Sequence, residues 1–132
     1  MTLSELTVKD VMTRGVISVP IDYPVIEVAK IMAKQKVSGI AVISENGEVM
    51  GVISEMDMLK IILDESLMDT TVEDIMNYAV QSVKPSTSLK ETAEIMKKKG
   101  IHRLLVLSEP GVGASYRPVG ILSASDIISK VK

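Results

Sequence analysis

Apolar residues in the first half of the chain follow a strand spacing, then a helical spacing, then a strand spacing again. A brief strand is predicted at Val16 to Val19. A helix should follow. Pro24 suits the first helical position, and the apolar residues after it recur at i, i+3, i+4 and i+7, at Val25, Val28, Ala29 and Met32. Gly39 to Ile43 and Val49 to Ile53 are predicted strands, joined by a short hairpin turn at Asn46-Gly47. A last helix is predicted after Ser54.

A short helix is also predicted ahead of these elements, at Thr7 to Met12. Thr7 can cap it, and Asp10 falls at the third helical position, where a carboxylate favours the helix N-terminus. One copy of the pattern therefore has the order β-α-β-β-α with a short leading helix.

The second half of the chain repeats the first. Residues 8–44 and 72–108 align without a gap and are identical at thirteen of 37 positions. Both copies close with a glycine, a strand and Ser-x-x-Asp, at Gly51 to Asp57 and at Gly120 to Asp126. The offset grows from 64 to 69 residues there, so the second hairpin carries a five-residue insertion in the loop segment Glu109 to Arg117. Two segments that align without a gap over this length indicate a duplication within the chain.

The repeat predicts an α/β fold in one module, residues 1–132. Repeat 1 spans residues 7–62, a linker spans 63–70, and repeat 2 spans 71–131. A copy of about 60 residues would be marginal alone, so the two copies are expected to share a core. Each would contribute a small sheet packed on helices, the two related by a pseudo-twofold axis. In the second copy, Ser88 to Glu91 is a predicted capping box, and Gly100 is the predicted helix end.

Composition removes several classes of function. Because the chain has no Cys, we expect no cysteine-based zinc site and no thiolate chemistry. Because it has no Phe or Trp and a net charge of −2, we expect no surface that binds nucleic acid. No nucleophile pattern, phosphate-binding loop or set of paired metal ligands is evident, so we expect no enzyme, no bound metal and no required cofactor. No apolar run approaches the ~18 residues of a membrane span and no signal peptide is evident, so a cytoplasmic protein without a membrane partner is expected.

Each Ser-x-x-Asp motif has two interpretations. A serine followed three residues later by an acid, at a strand-to-helix junction, is a helix N-cap with a capping-box acid. The same junction can receive an anion, because a helix N-terminus presents free N–H groups and a positive dipole end. The two interpretations are compatible, and both stay open at this point.

Taken together, these motifs resemble a known family. The leading Asp10-Val-Met-Thr13, the helices ending in Ile-Met, the strand Gly100 to Val106 and the two Gly-h-h-Ser-x-x-Asp closures look like a tandem pair of cystathionine-β-synthase (CBS) domains, a Bateman module. The resemblance covers residues 7–131. One departure is that the proline usual in the central strand is Ala41 in the first copy and Leu105 in the second.

The resemblance implies a non-catalytic binder of adenine nucleotides, with the ligand in clefts between the two repeats. In this family the aspartate binds the ribose hydroxyls and the serine lies near the ribose and phosphate, which carries over to Ser54 with Asp57 and to Ser123 with Asp126. The adenine would lie against the starts of strands, at Val16, Gly39, Ile40, Ala79, Val80, Arg103 and Leu104. AMP, ADP or ATP is the expected ligand. S-adenosylmethionine is an alternative, because the aspartate reads the ribose and not the 5′ substituent.

The two implied sites are unequal. His102, the single histidine, and Arg103 precede the central strand of the second copy, where family members often place phosphate-binding residues. An exposed pair without a ligand role is equally compatible with the spacing. The first-copy counterparts, Ser38 and Gly39, carry no charge. Which site the basic pair serves stays open.

We therefore expect a ligand-sensing subunit that regulates a separate, unidentified protein. A structural dimerisation module with vestigial sites is the alternative from another class. Members of the family commonly pair two modules through the closing helices, and here these helices carry more apolar residues than one face can bury. We expect a homodimer with Met58, Ile62, Ile127 or Ile128 at its interface.

Overall fold

The computed structural model describes residues 2–35, 37, 39–108 and 117–131; Ser38 and most of the inserted loop, residues 109–116, lie outside this set. The strands are β1 (Thr13–Arg14), β2 (Ser18–Pro20), β3 (Gly39–Ile43), β4 (Val49–Ser54), β5 (Ser82–Val83), β6 (Arg103–Leu107) and β7 (Pro118–Ser123). The α-helices are α1 (Val8–Val11), α2 (Val25–Gln35), α3 (Glu55–Met58), α4 (Lys60–Leu63), α5 (Leu89–Lys99) and α6 (Ala124–Ile128). Short 3₁₀ helices lie at Leu3–Glu5, Glu65–Asp69 and Val72–Asp74. Within the described ranges, no helix is both long and apolar enough to cross a membrane.

The chain divides into two compact units that do not coincide with the two sequence repeats. The continuous unit is Ile17–Val80, and the discontinuous unit combines Met1–Val16 with Gln81–Lys132. Each unit therefore contains the body of one repeat and the leading segment of the other. The chain passes from one unit to the other twice, after Val16 and after Val80.

The continuous unit is built on a three-stranded sheet in the order β2-β3-β4. Helix α2 connects the parallel strands β2 and β3, and β3 pairs antiparallel with β4. The predicted apolar face of α2 is in the core, where Val25 and Val28 are fully buried. The leading segment of the second repeat completes this core with Val72, Ile75 and Met76.

The discontinuous unit repeats this plan with a four-stranded sheet in the order β1-β7-β6-β5. Strands β5 and β6 are parallel, whereas β7 pairs antiparallel with both β6 and β1. Its core contains Leu89 and Met96 of α5 beside Leu104 and Leu122 of the sheet, and Val8 of the first repeat's leading helix is fully buried among them.

Equivalent backbone hydrogen bonds attach the two leading segments to the bodies that receive them. In the continuous unit Val72 N–H donates to Tyr23 O at 2.8 Å, and in the discontinuous unit Val8 N–H donates to Thr87 O at 2.9 Å. The leading helix α1 begins as predicted: Thr7 N–H and Thr7 Oγ donate to an Asp10 carboxylate oxygen at 2.8 and 3.0 Å. These bonds, the backbone one first, hold the pKa of Asp10 below its usual value.

The predicted elements are present, with adjustments in both copies. The closing helix of the first copy is divided into α3 and α4, and the leading helix of the second copy is the 3₁₀ helix Val72–Asp74. The brief strand predicted at Val16 to Val19 is β2, which begins only at Ser18. The Ile17 carbonyl accepts the first ladder bond, from Ala41 N–H at 3.0 Å, and Leu105 N–H donates equivalently to Gln81 O at 3.2 Å. A proline at either central-strand position would lack this donor, so the departure from the family pattern adds one ladder hydrogen bond to each sheet.

The hairpin between β3 and β4 is also longer than a two-residue turn. Ser44 N–H donates to Glu48 O at 2.9 Å, which leaves three residues between them and a register shift at Val42/Ile43. The Ser44 hydroxyl accepts from the N–H groups of Asn46 and Glu48, both at 3.3 Å. This local side-chain cap favours the wider loop over the tight turn that Asn46-Gly47 predicts. In the second copy, Ser88 Oγ accepts from Glu91 N–H, which is the serine half of the predicted capping box, and α5 ends at Lys99 with Gly100 as its C-cap, as predicted.

A close approach of two backbones requires the glycine within each closing strand, Gly51 in β4 and Gly120 in β7. A Cβ on Gly120 would lie 2.6 Å from the Thr13 carbonyl oxygen. A Cβ on Gly51 would lie 2.8 Å from Met76 Sδ and 3.0 Å from the Asn77 carbonyl oxygen. Only glycine therefore lets the leading segment of one repeat pass directly over the closing strand of the other.

We predict that Gly120→Ala lowers the free energy of unfolding by about 1 to 3 kcal/mol, because the new methyl group meets a backbone oxygen that cannot rotate away. Gly51→Ala should be less damaging, since the nearest atom is the flexible end of a methionine side chain. Urea denaturation measures both. Gly39→Ala is the matched control, because its Cβ would meet its nearest atom only at 3.7 Å. A Gly120→Ala protein as stable as Gly39→Ala would contradict the backbone crossing.

Candidate functional site

The first Ser-x-x-Asp motif forms a capping box at the corner between β4 and α3. Ser54 N–H donates to Asp57 Oδ2 at 2.8 Å, and Asp57 N–H donates back to Ser54 Oγ at 3.2 Å. The Ser54 hydroxyl also lies 3.1 Å from Asp57 Oδ2. The structural interpretation of this motif is therefore correct, and it commits one of the two carboxylate oxygens of Asp57 to the backbone.

The second motif has the same geometry at the corner between β7 and α6. Ser123 N–H donates to Asp126 Oδ2 at 2.9 Å, and Asp126 N–H donates to Ser123 Oγ at 3.2 Å. Asp57 and Asp126 are both partly buried. Each carboxylate is thus held in one orientation by its own corner, with its second oxygen, Oδ1, outside the capping box.

The carboxylate oxygen outside the capping box, Oδ1, has different surroundings at the two corners. Lys60 Nζ lies 3.5 Å from Asp57 Oδ1 and donates to the Ile75 carbonyl oxygen at 3.2 Å. Ser129 occupies the equivalent place behind Asp126, and its hydroxyl donates to the Asp126 backbone carbonyl at 2.7 Å. Within the described ranges, Asp126 Oδ1 has no protein partner. Lys60 was not among the residues that the motifs identify, although its position three residues after an aspartate on a helix is a spacing that brings side chains together.

The sheets place a different residue beside each serine. Gly39 pairs with Ser54 across β3 and β4, and Arg103 pairs with Ser123 across β6 and β7. Side chains of directly paired residues leave the same face of a sheet about 5 Å apart. The side chain of Arg103 therefore leaves the sheet beside that of Ser123, with the two Cβ atoms about 5 Å apart, whereas Ser54 has only a glycine opposite it.

The remaining predicted residues divide by burial. Ile40 is buried in the core of the continuous unit opposite Ile53, so only its backbone is available to a ligand. Leu104 is likewise a core residue of the other unit. Val16, Ala79 and Val80 lie where the chain leaves a unit. Ala79 N–H donates to the Asn77 side chain at 2.9 Å and Val80 N–H to Tyr78 O at 3.0 Å, so local contacts already use both donors.

His102 lines a groove separate from the Ser123 corner. Its backbone is close to that corner, because Ala124 N–H donates to His102 O at 2.9 Å. An open groove of about 490 Å³ lies between α5 and α6 and is lined by His102 together with Lys97 and Ile128. Neither Arg103 nor Asp126 is part of its lining. The structure thus brings Arg103 to the serine of its own unit and places His102 in a groove between two helices.

Across the part of the chain that the structure describes, no three His, Cys, Asp or Glu side chains gather where they could hold an ion.

Comparison with known proteins gives relatives along most of the chain. An uncharacterized protein, MJ1426, of Methanocaldococcus jannaschii is 26% identical over 93% of this chain and 89% of its own length. A homoserine O-acetyltransferase of Methanosarcina acetivorans is 28% identical over 95% of this chain, which corresponds to only 22% of the enzyme. The chain thus matches a small part of that enzyme.

Two solved structures resemble the whole fold. The CBS domain pair of protein MJ0100, in complex with 5′-methylthioadenosine and S-adenosyl-L-methionine, is 25% identical with a TM-score of 0.80, and 94% of each chain is covered. CBSX2 in complex with AMP is also 25% identical with a TM-score of 0.80, and 95% of each chain is covered.

The family model described as "CBS domain" matches the chain twice, at residues 8–64 and 72–132. The α/β architecture with two small sheets, predicted from the repeat, agrees with the tandem CBS pairs among the solved structures. This chain therefore belongs to the CBS domain family, as a tandem pair of CBS domains.

Proposed function

We propose that this protein is a non-catalytic, ligand-sensing module that binds an adenine nucleotide through its Ser-x-x-Asp corners. The observation that carries the proposal is the state of Asp126. Its Oδ2 is fixed by Ser123 N–H, its Oδ1 has no partner among the described residues, and Arg103 starts beside Ser123. Because the Asp126 carboxylate is already oriented and its Oδ1 is not bonded to the described residues, it can accept hydrogen bonds from a ligand.

The chemistry of the corner suits a ribose with an anionic 5′ group. An ionised carboxylate only accepts hydrogen bonds, and a vicinal diol supplies two donors at neighbouring oxygens. Arg103 can pair with phosphate oxygens through its fork of N–H groups. Since the chain contains only three tyrosines and no other aromatic residue, the base would lie against aliphatic side chains.

The comparisons support this class of ligand without deciding among its members. Of the structural relatives, CBSX2 was solved with AMP and MJ0100 with 5′-methylthioadenosine and S-adenosyl-L-methionine. All three ligands contain adenosine or its 5′-thio analogue, which share the ribose diol. We favour AMP, ADP or ATP because Arg103 would attract phosphate, and S-adenosylmethionine is the second candidate.

A regulatory role follows from what a binding corner without catalytic groups can do. Binding energy at such a corner can shift an equilibrium between conformations or assemblies, but it provides no group that attacks or protonates a substrate. We therefore propose that the output is passed to a separate protein that the ligand-bound and ligand-free forms contact differently. The alternative remains a structural module whose corners serve only as helix caps.

We predict that adenine nucleotide raises the melting temperature of the protein. A ligand that binds only the native state stabilises it by about 2.7 kcal/mol at a hundredfold excess over the dissociation constant. Differential scanning fluorimetry with AMP, ADP, ATP, S-adenosylmethionine and, as a control, ribose-free adenine measures this shift. Melting curves that none of the compounds moves at millimolar concentration would favour the structural module.

We predict that Asp126→Ala weakens nucleotide binding more than Asp57→Ala. Removing a hydrogen-bonding charge at the Arg103 corner should reduce affinity roughly ten- to a hundredfold, since such bonds are worth about 1.5 to 3 kcal/mol. Isothermal titration calorimetry of both variants with AMP decides the order. Both substitutions remove a capping-box carboxylate, and Asp57→Ala also removes the ion pair with Lys60, so circular dichroism checks that both variants fold. A larger loss from Asp57→Ala would transfer the main site to the first repeat.

Exposed apolar side chains on the closing helices bear on assembly. Four apolar residues of the continuous unit are more than half exposed: Met56, Leu59, Ile62 at 77% and Leu63 at 87%. In the discontinuous unit, Ile128 is 67% exposed. Met58 and Ile127, two of the predicted interface residues, instead pack partly against the two cores. Exposed apolar residues grouped in this way are typical of an interface.

We predict a homodimer that Ile62→Lys and Ile128→Lys each weaken, because a buried interface would then have to accommodate an ammonium group. Sedimentation or light scattering at micromolar concentration should give twice the monomer mass for the wild type and a lower average mass for the variants. Gln35→Lys, at the exposed end of α2, adds the same single positive charge and is the control. A monomeric wild-type protein would contradict the prediction.

A further inference from the structure

The two Ser-x-x-Asp corners share their capping geometry but differ in the residue three positions after the aspartate. That residue is Lys60 in the first repeat and Ser129 in the second. We propose that Lys60 is a specificity-determining residue that occupies the ligand-binding oxygen of Asp57 and so directs the ribose diol to Asp126. The inference rests on the proposed function.

Two acceptors hold the Lys60 ammonium group in place. It lies 3.5 Å from Asp57 Oδ1 and 3.2 Å from the carbonyl oxygen of Ile75. Ile75 is a fully buried core residue, so this carbonyl is part of a fixed backbone. The Lys60 side chain is 50% exposed and that of Asp57 only 15%, so the ammonium group covers a carboxylate with little other access to water.

Lys60 contacts Asp57 Oδ1, the carboxylate oxygen that takes no part in the capping box. Asp57 Oδ2 accepts from Ser54 N–H, so a ligand diol at this corner has to compete with Lys60 for Oδ1. An ammonium group in front of the oxygen also reduces the negative charge that the diol meets. Both effects lower the affinity of the corner for any ribose, whatever the 5′ substituent.

The second repeat lacks this competition. Ser129 Oγ is turned to the backbone and donates to the Asp126 carbonyl oxygen at 2.7 Å. Its side chain is too short to reach across the carboxylate as a lysine does. The Ser129 corner therefore keeps Oδ1 open, and exchanging the two residues should exchange the behaviour of the two corners.

The test isolates each corner and then exchanges residue types. In an Asp126→Ala background, where only the first corner can bind, Lys60→Met keeps most of the side chain and removes the charge. In an Asp57→Ala background, Ser129→Lys introduces the competitor. AMP and 5′-methylthioadenosine are the probes, titrated by calorimetry, because the second has the ribose diol but no phosphate. Lys60→Arg keeps the cation and serves as the control.

We expect Lys60→Met to tighten binding of both probes by about two- to fivefold and Ser129→Lys to weaken it by a similar factor, the range typical of a partly exposed ion pair. Lys60→Arg should leave the affinity unchanged. Weaker binding of AMP but not of 5′-methylthioadenosine in Lys60→Met would instead make Lys60 a phosphate ligand and overturn the inference, as would unchanged affinities for both probes.

The same titrations separate this inference from the proposed function. Binding by the wild type, with no effect of the two exchanges, removes only the role of Lys60. Absence of binding by the wild type and by all variants removes the proposed function and the inference together. If an Asp→Ala background does not fold by circular dichroism, Asp→Asn replaces it, since the amide oxygen can still accept from the serine N–H.

Discussion

The close passage of two backbones at each closing glycine is the constraint on which the rest of the structure depends. At Gly120 and at Gly51 the leading segment of one repeat passes over the closing strand that belongs to the other, at a distance that admits no Cβ. This passage brings Val8 into one core and Val72 with Ile75 into the other. A copy of about 60 residues buries too little surface to be stable by itself, and exchange of the leading segments makes each core depend on both copies.

The order of elements could be predicted from the sequence because it depends on local periodicity. The α2 face, the β3 strand and both Ser-x-x-Asp caps are set by residues within a few positions of one another, and each is present as expected. The exchange of leading segments is different. The local sequence predicts a leading helix, but it does not identify the core that receives Val8 or Val72. The glycine at positions 51 and 120 was the available signal, and its need for a crossing backbone becomes clear only with both segments in view.

The candidate site could be predicted only in part for the same reason. Within each motif the serine and the aspartate, Ser54 with Asp57 and Ser123 with Asp126, are three residues apart and bonded to each other. The contributions of Arg103 and Lys60 depend on strand register and on the side-chain conformation of a helix, respectively. Ile40 lies in a strand whose central residues, Ile40, Ala41 and Val42, are all buried, so only its backbone could meet the adenine and its ligand role stays a prediction.

The two corners illustrate how a duplicated fold can become asymmetric without loss of stability. The capping boxes contribute to folding in both repeats, so the serine and aspartate are held in place by the helices that they begin, whether or not a ligand binds. The corners differ at two pairs of equivalent positions: Gly39 in the first repeat corresponds to Arg103 in the second, and Lys60 corresponds to Ser129. Neither of the two charged side chains is part of a core. Substitutions at such surface positions usually change stability by less than about 0.5 kcal/mol. Under the proposed function, selectivity between the corners can therefore change at these positions while the caps and the closing-strand glycines keep the architecture fixed, and we propose that the result is one strong and one weak site.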